Sequence, residues 1–271
     1  MKVASNLQGL GNRIKCIMGA ARIDPNYMIR WPSSSWVQKN TNSSFLDIFD
    51  MREKYTDVIP EGGEEYRNCY LAEFPGDRNL YKLPRQKFSR WGGYLDGGYE
   101  TIPNEIRAEY LSIIQTIKFS SYINKNVEEF STHFNEHTVG IQIRSWPECK
   151  PPTSYCNDRH RIFDLKYFEH AMAESLSDAD QYPTNFFVSC DDPMLTEQLK
   201  NKFGNHIILF KNEHENGHFV GERLDMRNWM CDLLLLSKCN KLLVSPYSTF
   251  SEIAWWFGGA SADVQIIGKS L

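Results

Sequence analysis

The sequence predicts an α/β protein of two domains with a cleft between the halves, the C-terminal one doubly wound. Three observations carry that expectation. From residue 138 onward, apolar runs of strand length alternate with helical patterns, as parallel strands joined by right-handed crossover helices require. The chain opens on the same device, a short strand followed by a glycine turn and a helix. Between these regions, residues 52–103 lose their periodicity and fill with Gly, Pro and Tyr, in EGGEE, FPGDRN and WGGYLDGGYE. Such a stretch inside a globular chain marks a functional surface more often than a core. A length of 271 residues suits two domains of about 130 residues each. A boundary near residues 131–138 separates an N-terminal half, 1–134, from a C-terminal half, 135–271.

In chain order, residues 2–6 read as a strand and 8–12 as a glycine turn. Residues 13–22 read as a helix with Ile14, Ile17 and Met18 on one face. A second strand covers 27–31 and stops at Pro32. Residues 33–44 are loop-like, and 45–49 form a short helix. Residues 104–130 make one or two helices, with Ile106, Tyr110, Ile113, Ile114 and Ile117 at helical spacing. The C-terminal half then carries strands at 139–144, 185–189, 206–210, 241–245 and 264–267. Helices are expected at 164–175, 193–203, 227–239 and 251–257. Thr249 and Glu252 have capping-box spacing, which places the last helix start near Thr249.

Composition narrows the class. The net charge of −4 argues against a general nucleic-acid or anionic-membrane binder. No stretch of about 18 apolar residues is present to span a bilayer, and residues 1–13 lack a signal-peptide core. The seven cysteines, an odd number, include no CxxC pair and read as reduced and structural, as in a cytoplasmic compartment.

In open parallel sheets, ligands bind beyond the carboxyl ends of the strands. Three such ends carry chemistry here. The 139–144 strand ends in Arg144, which would grip a phosphate bidentately. The 185–189 strand is followed by Asp191 and Asp192, carboxylates able to accept from a ribose or a base N–H. The 241–245 strand runs into a hydroxyl-rich turn containing Ser248, Thr249 and Ser251, at a helix start where free N–H groups and the helix dipole favour an anion. Each has a plainer explanation, as a solvated arginine, a helix start or a cap. Their joint order points to a nucleotide with phosphates.

Four segments in series carry a resemblance: GLGNR at 9–13, VGIQIRS at 139–145, FFVSCDDP at 186–193 and DLLLLSKCNKLLVSPYSTFSEIAWWFGG at 232–259. Together with RWPSS…SFLDIFD at 30–50, they are similar to the fucosyltransferase-like superfamily of α1,2- and α1,6-fucosyltransferases, nodulation-type fucosyltransferases and protein O-fucosyltransferases. The resemblance implies a GT-B fold of two Rossmann-type domains facing across a cleft, with the donor mainly on the C-terminal domain and the acceptor in the cleft or on the N-terminal side. It implies that Arg144 grips the donor phosphate and that Ser248, Thr249, Phe250 and Ser251 form the phosphate-cradling turn. Asp191 or Asp192 matches the family's carboxylate. Gly9, Gly11, Asn12 and Arg13 form the first loop, which approaches the donor pyrophosphate or the acceptor. The family usually has His where Gln142 stands, and Ser145-Trp146-Pro147-Glu148 is also a departure. The resemblance implies GDP-fucose as the donor, and these departures from the family's donor contacts set a UDP-linked sugar such as xylose beside it as the alternative. The acceptor is expected to be a glycan or glycoconjugate. Without the membrane anchor of Golgi relatives, the chain suits a cytoplasmic enzyme of a bacterium or a large virus.

An inverting transfer of this kind needs a stabilised leaving diphosphate and a general base. Candidate bases are Asp77, Glu148 and Asp158, with Asp77 favoured for its place in the glycine-rich stretch; Asn12 could instead orient the acceptor. HENGH at 214–218 matches the zinc-hydrolase pattern through His214 and His218. Its Asn-Gly and the nearby Gly221 speak for a loop rather than the helix that pattern needs. No essential metal or other cofactor is expected. The remaining rival is a non-catalytic member that holds a nucleotide or glycan without transfer.

Overall fold

The computed structural model describes residues 1–32, 44–67, 102, 104–145, 163–177, 184–210, 219–220, 223–224 and 226–268. Within them, β4 (Val139–Ile143) and β5 (Phe186–Cys190) are buried at every residue. That is why both read as unbroken apolar runs: a central parallel strand is covered by helices on each face. They form the middle of a five-stranded parallel sheet with β6 (Ile207–Ile208), β9 (Lys241–Val244) and β10 (Asp263–Ile266), in the order β10-β9-β4-β5-β6.

This order contains a reversal. From β4 the chain steps outward through β5 to β6, then returns to the other side of β4 for β9 and β10. The helices follow suit. α5 (Leu165–Ser177) and α6 (Pro193–Phe203) place Phe168, Met172 and Leu199 in one core with Ile141, Ile143 and Val188. α7 (Met226–Leu236) and α8 (Thr249–Phe257) place Leu233, Leu236 and Trp256 in another with Phe187, Leu242 and Val244. Successive strand residues thus feed opposite cores, as the pleat dictates. The crevice between β4 and β9 is the topological switch point of the sheet, where such folds bind ligands.

The N-terminal half has its own parallel sheet, β2-β1-β3, from β1 (Lys2–Ala4), β2 (Met28–Ile29) and β3 (Glu64–Tyr66). The third strand lies in the aperiodic stretch, where no strand was expected. Only Tyr66 of its three residues is buried, so it shows no apolar alternation. A two-stranded antiparallel hairpin, β7 (Phe219–Val220) and β8 (Arg223–Leu224), was likewise not expected. The helical region 104–130 resolves into two helices, α3 (Asn104–Ile114) and α4 (Ser121–Ser131).

The two halves share one hydrophobic core. It runs from Leu10, Ile14 and Met18 of α1 (Leu10–Ile23), through Tyr110 of α3 and Ile123 of α4, to Leu233 of α7 and Trp256 of α8. α8 is the hub. Residues 251–256 are all buried, and a helix that is apolar nearly all round belongs in an interior. From the N-terminal half, Tyr110 packs its ring 5.5 Å from that of Trp256. Arg107 lies over Trp255 at 5.3 Å and donates to the Ala260 carbonyl at 3.1 Å.

Cys16, Cys190, Cys231 and Cys239 are buried thiols outside any disulfide, and burial pushes the pKa of Cys239 up to about 12. Among the described residues, no helix is long and apolar enough to cross a membrane.

Candidate functional site

The site assembles where β4, β5, β9 and two helix starts meet. The chain leaves β9 at Ser245, passes Pro246 and Tyr247, and enters α8 at Thr249. Tyr247 has a φ of 55°, a left-handed backbone that a bulky residue adopts only where its surroundings impose it. The turn this creates is capped by Ser248, not Thr249. The Ser248 hydroxyl accepts from the Ser251 N–H at 3.5 Å, and the Ser251 hydroxyl donates to the Ser248 carbonyl at 3.0 Å. Glu252 therefore does not complete the capping box its spacing suggests. Its carboxylate turns inward and pairs with Lys15 of α1 at 2.5 Å, both side chains fully buried.

Across the switch point, the backbone N–H of Arg144 donates to the Ser245 hydroxyl at 2.9 Å. This ties the end of β4 to the start of the turn. Asp191, just past β5, holds the other side. Its Oδ1 accepts from the Ser145 N–H at 2.8 Å and the Ser145 hydroxyl at 2.9 Å. Its Oδ2 pairs with Nη1 of Arg144. The Arg144 side chain is about one-third exposed, at 32%, so its guanidinium is held at the rim by a carboxylate rather than left to wander. Asp192 has a different partner: its Oδ1 caps α6, accepting from the Met194 N–H at 3.0 Å.

The first loop arrives from the N-terminal half. α1 begins at Leu10, three residues before the expected start, so the glycines lie at its cap and first turn. Gly11 touches α8 directly. A Cβ built on it would sit 2.6 Å from the carbonyl carbon and oxygen of Thr249 and 2.7 Å from its Oγ1. Gly9, the N-cap, has nothing within 4 Å of such a Cβ among the described residues. One glycine lets two helix starts touch, and the other leaves open space beside them. Asn12 sits between these contacts and Arg13, half-buried on the first turn. Phe250 is half-buried against the shared core.

Arg13 is placed differently from the expectation that it approaches a ligand. It is 2% exposed and braces the loop from within, donating to the Gln8 carbonyl at 2.8 Å and the Pro32 carbonyl at 2.9 Å. Its guanidinium stacks over Trp31 at 4.5 Å. Burial holds its pKa down to about 9.

The first turns of α1 and α8 thus meet at Gly11 and Thr249. Each helix start carries roughly half a positive charge. α1 has no acidic residue in its first turn, and the one in α8 is Glu252, paired with Lys15. Two adjoining positive ends with Arg144 across the crevice make a place suited to a multiply charged anion.

A polar group beneath the crevice gave no motif in the sequence. Gln142, Ser189, Asn228 and Asp232 are all buried, and the Ser189 hydroxyl donates to Asp232 Oδ2 at 3.0 Å. Gln142 Oε1 is buried with no hydrogen-bond partner among the described residues. Asp232 sits inside DLLLL, where only its buried position on α7 sets it apart. Asp77, Glu148, Asp158, His214 and His218 lie outside the described residues.

No family model matches the sequence, and no curated protein matches it. Solved structures do share its fold. POFUT1 in its apo form aligns over 99% of this chain and 97% of its own, at 12% identity and a TM-score of 0.55. Fucosyltransferase NodZ from Bradyrhizobium aligns over 93% of this chain and 91% of its own, at 16% identity and a TM-score of 0.50. NodZ α-1,6-fucosyltransferase soaked with GDP-fucose aligns over 94% and 91%, at 15% identity and a TM-score of 0.51. The mixed α/β chain with its parallel sheets has the GT-B fold of these fucosyltransferases.

Proposed function

We propose that the protein is an inverting glycosyltransferase that takes fucose from GDP-fucose and passes it to a glycan or glycoconjugate acceptor. The observation that carries this is the meeting of two helix starts, through Gly11 and Thr249, opposite Arg144 at the β4–β9 switch point. Such a place binds the donor diphosphate and stabilises it as it leaves. The Ser248–Ser251 turn supplies N–H and hydroxyl groups, and Arg144 supplies charge aimed by Asp191. The choice of nucleotide is supported by the fold neighbours, among them POFUT1 in complex with GDP-fucose. Asp77 is assigned as general base on its sequence context alone. No metal is needed where helix starts and an arginine neutralise the diphosphate.

Thermal denaturation with GDP, UDP, GDP-fucose and UDP-xylose tests the donor. GDP and GDP-fucose are expected to raise the melting temperature, with UDP-xylose weaker. A shift with the uridine pair alone would transfer the proposal to a UDP-sugar, and no shift with any of the four would defeat it.

Gly9 gives a sharper check. Its φ of −61° is open to any residue, and a methyl group there meets no atom of the described residues within 4 Å. Gly9→Ala is expected to change stability by no more than about 1 kcal/mol, the scale of an N-cap substitution. It is expected to weaken GDP about tenfold, because the methyl occupies the space through which a phosphate reaches the α1 backbone. Equal GDP affinity in isothermal titration would place the phosphates away from α1.

A further inference from the structure

The buried pair of Lys15 and Glu252 has no part in the steps described above, yet it lies directly behind the anion site. Glu252 is in the first turn of α8, one residue after the Ser248–Ser251 turn. A carboxylate at a helix start is ordinarily favourable. Here it shares that start with the place assigned to a diphosphate, and two anions so close repel strongly in a medium shielded from water. Lys15, from α1, meets Glu252 at 2.5 Å with neither side chain exposed. The partners are 237 residues apart in sequence and come from opposite halves.

Resting on the donor-site reading above, we propose that Lys15 is a positioning residue of the diphosphate site. It cancels the charge of Glu252, so that the adjoining helix starts remain attractive to an anion, and it pins α1 to α8 beside the Gly11–Thr249 contact. The pair thereby ties donor binding to the docking of the two halves. A salt bridge kept only for stability would behave differently. Loss of either partner from a buried pair leaves an uncompensated charge, and both losses destabilise. For anion affinity, the two losses should then act alike. In the positioning role they act in opposite directions.

The test is isothermal titration of the full chain and three variants, Lys15→Met, Glu252→Gln and the double variant, with GDP and inorganic pyrophosphate in parallel. Lys15→Met is expected to weaken both ligands by about tenfold or more, which is the repulsion of one nearby charge converted at 1.4 kcal/mol per decade. Glu252→Gln is expected to bind both at least as tightly as wild type, despite a lower melting temperature. The double variant is expected within about threefold of wild type. Glu252→Gln decides the matter even if Lys15→Met fails to fold. Weakened pyrophosphate binding by Glu252→Gln, or a double variant as weak as Lys15→Met, would overturn the proposal. Wild-type binding of pyrophosphate but not GDP would defeat the nucleotide-sugar reading while the variants still settle the role of Lys15. Binding of neither ligand by wild type would overturn both.

Discussion

Gly11→Ala is expected to destabilise the protein by about 1–3 kcal/mol and to weaken GDP by at least tenfold. Helix propensity alone predicts the reverse, since alanine is better than glycine inside a helix by about 1 kcal/mol. The contact decides the sign. The added methyl would lie 2.6 Å from the Thr249 carbonyl carbon and oxygen. These are backbone atoms in the first turn of α8, so no side-chain rotation relieves the clash. α1 and α8 must move apart, and the two helix starts that make the anion site move with them. Chemical denaturation and a GDP titration on the same preparation measure both effects. A stable Gly11→Ala variant with unchanged GDP affinity would show that the helix crossing is not part of the site. Gly9→Ala, where the added methyl meets no described atom within 4 Å, serves as its control for stability.

Arg144→Ala is expected to lower transfer from GDP-fucose by about 100-fold to 1,000-fold, the scale for losing one preorganised group that stabilises developing charge. The fold should survive. The side chain is a third exposed and leaves from a strand end, and an ion pair in that setting contributes only about 0–1 kcal/mol to stability. Arg144→Lys is expected to recover little, because an ammonium keeps the charge but cannot present the planar fork to a phosphate. Steady-state kinetics with GDP-fucose, alongside circular dichroism, would check this. A variant that retains transfer within about threefold of wild type would remove Arg144 from the chemistry.

The central strands of the C-terminal sheet, β4, β5 and β9, were legible because they are covered on both faces. Five consecutive buried residues, as in β4 and β5, leave a signal that no loop imitates. The strand ends were legible for the same reason, since each apolar run stops where Arg144, Asp191 or Ser245 begins. β3 was hidden because an outer strand with one buried residue has no period to detect. The start of α1 was missed because glycine reads as a turn, whereas Gly11 is there to let two helices touch.

The site residues divide along the same line. Arg144 and the Ser248–Ser251 turn lie together at the switch point, and Gly9 and Gly11 join them. Arg13 was assigned from the resemblance of the GLGNR loop and Glu252 from capping-box spacing, but both have distant partners. Arg13 answers to Trp31 and the Pro32 carbonyl, and Glu252 to Lys15. Asp191 and Asp192 are adjacent in the sequence yet hold different things, one the arginine and the other a helix start. The Asp192 cap is local, but the other partners are fixed by tertiary packing, and no short window of sequence contains them.

The crystal structure of the protein with GDP is the most direct test of where the donor sits. The β-phosphate is expected at the meeting of α1 and α8, within hydrogen-bond distance of the backbone N–H groups of the Ser248–Ser251 turn and facing Arg144. A GDP molecule whose phosphates lie elsewhere, with that turn empty, would contradict the account.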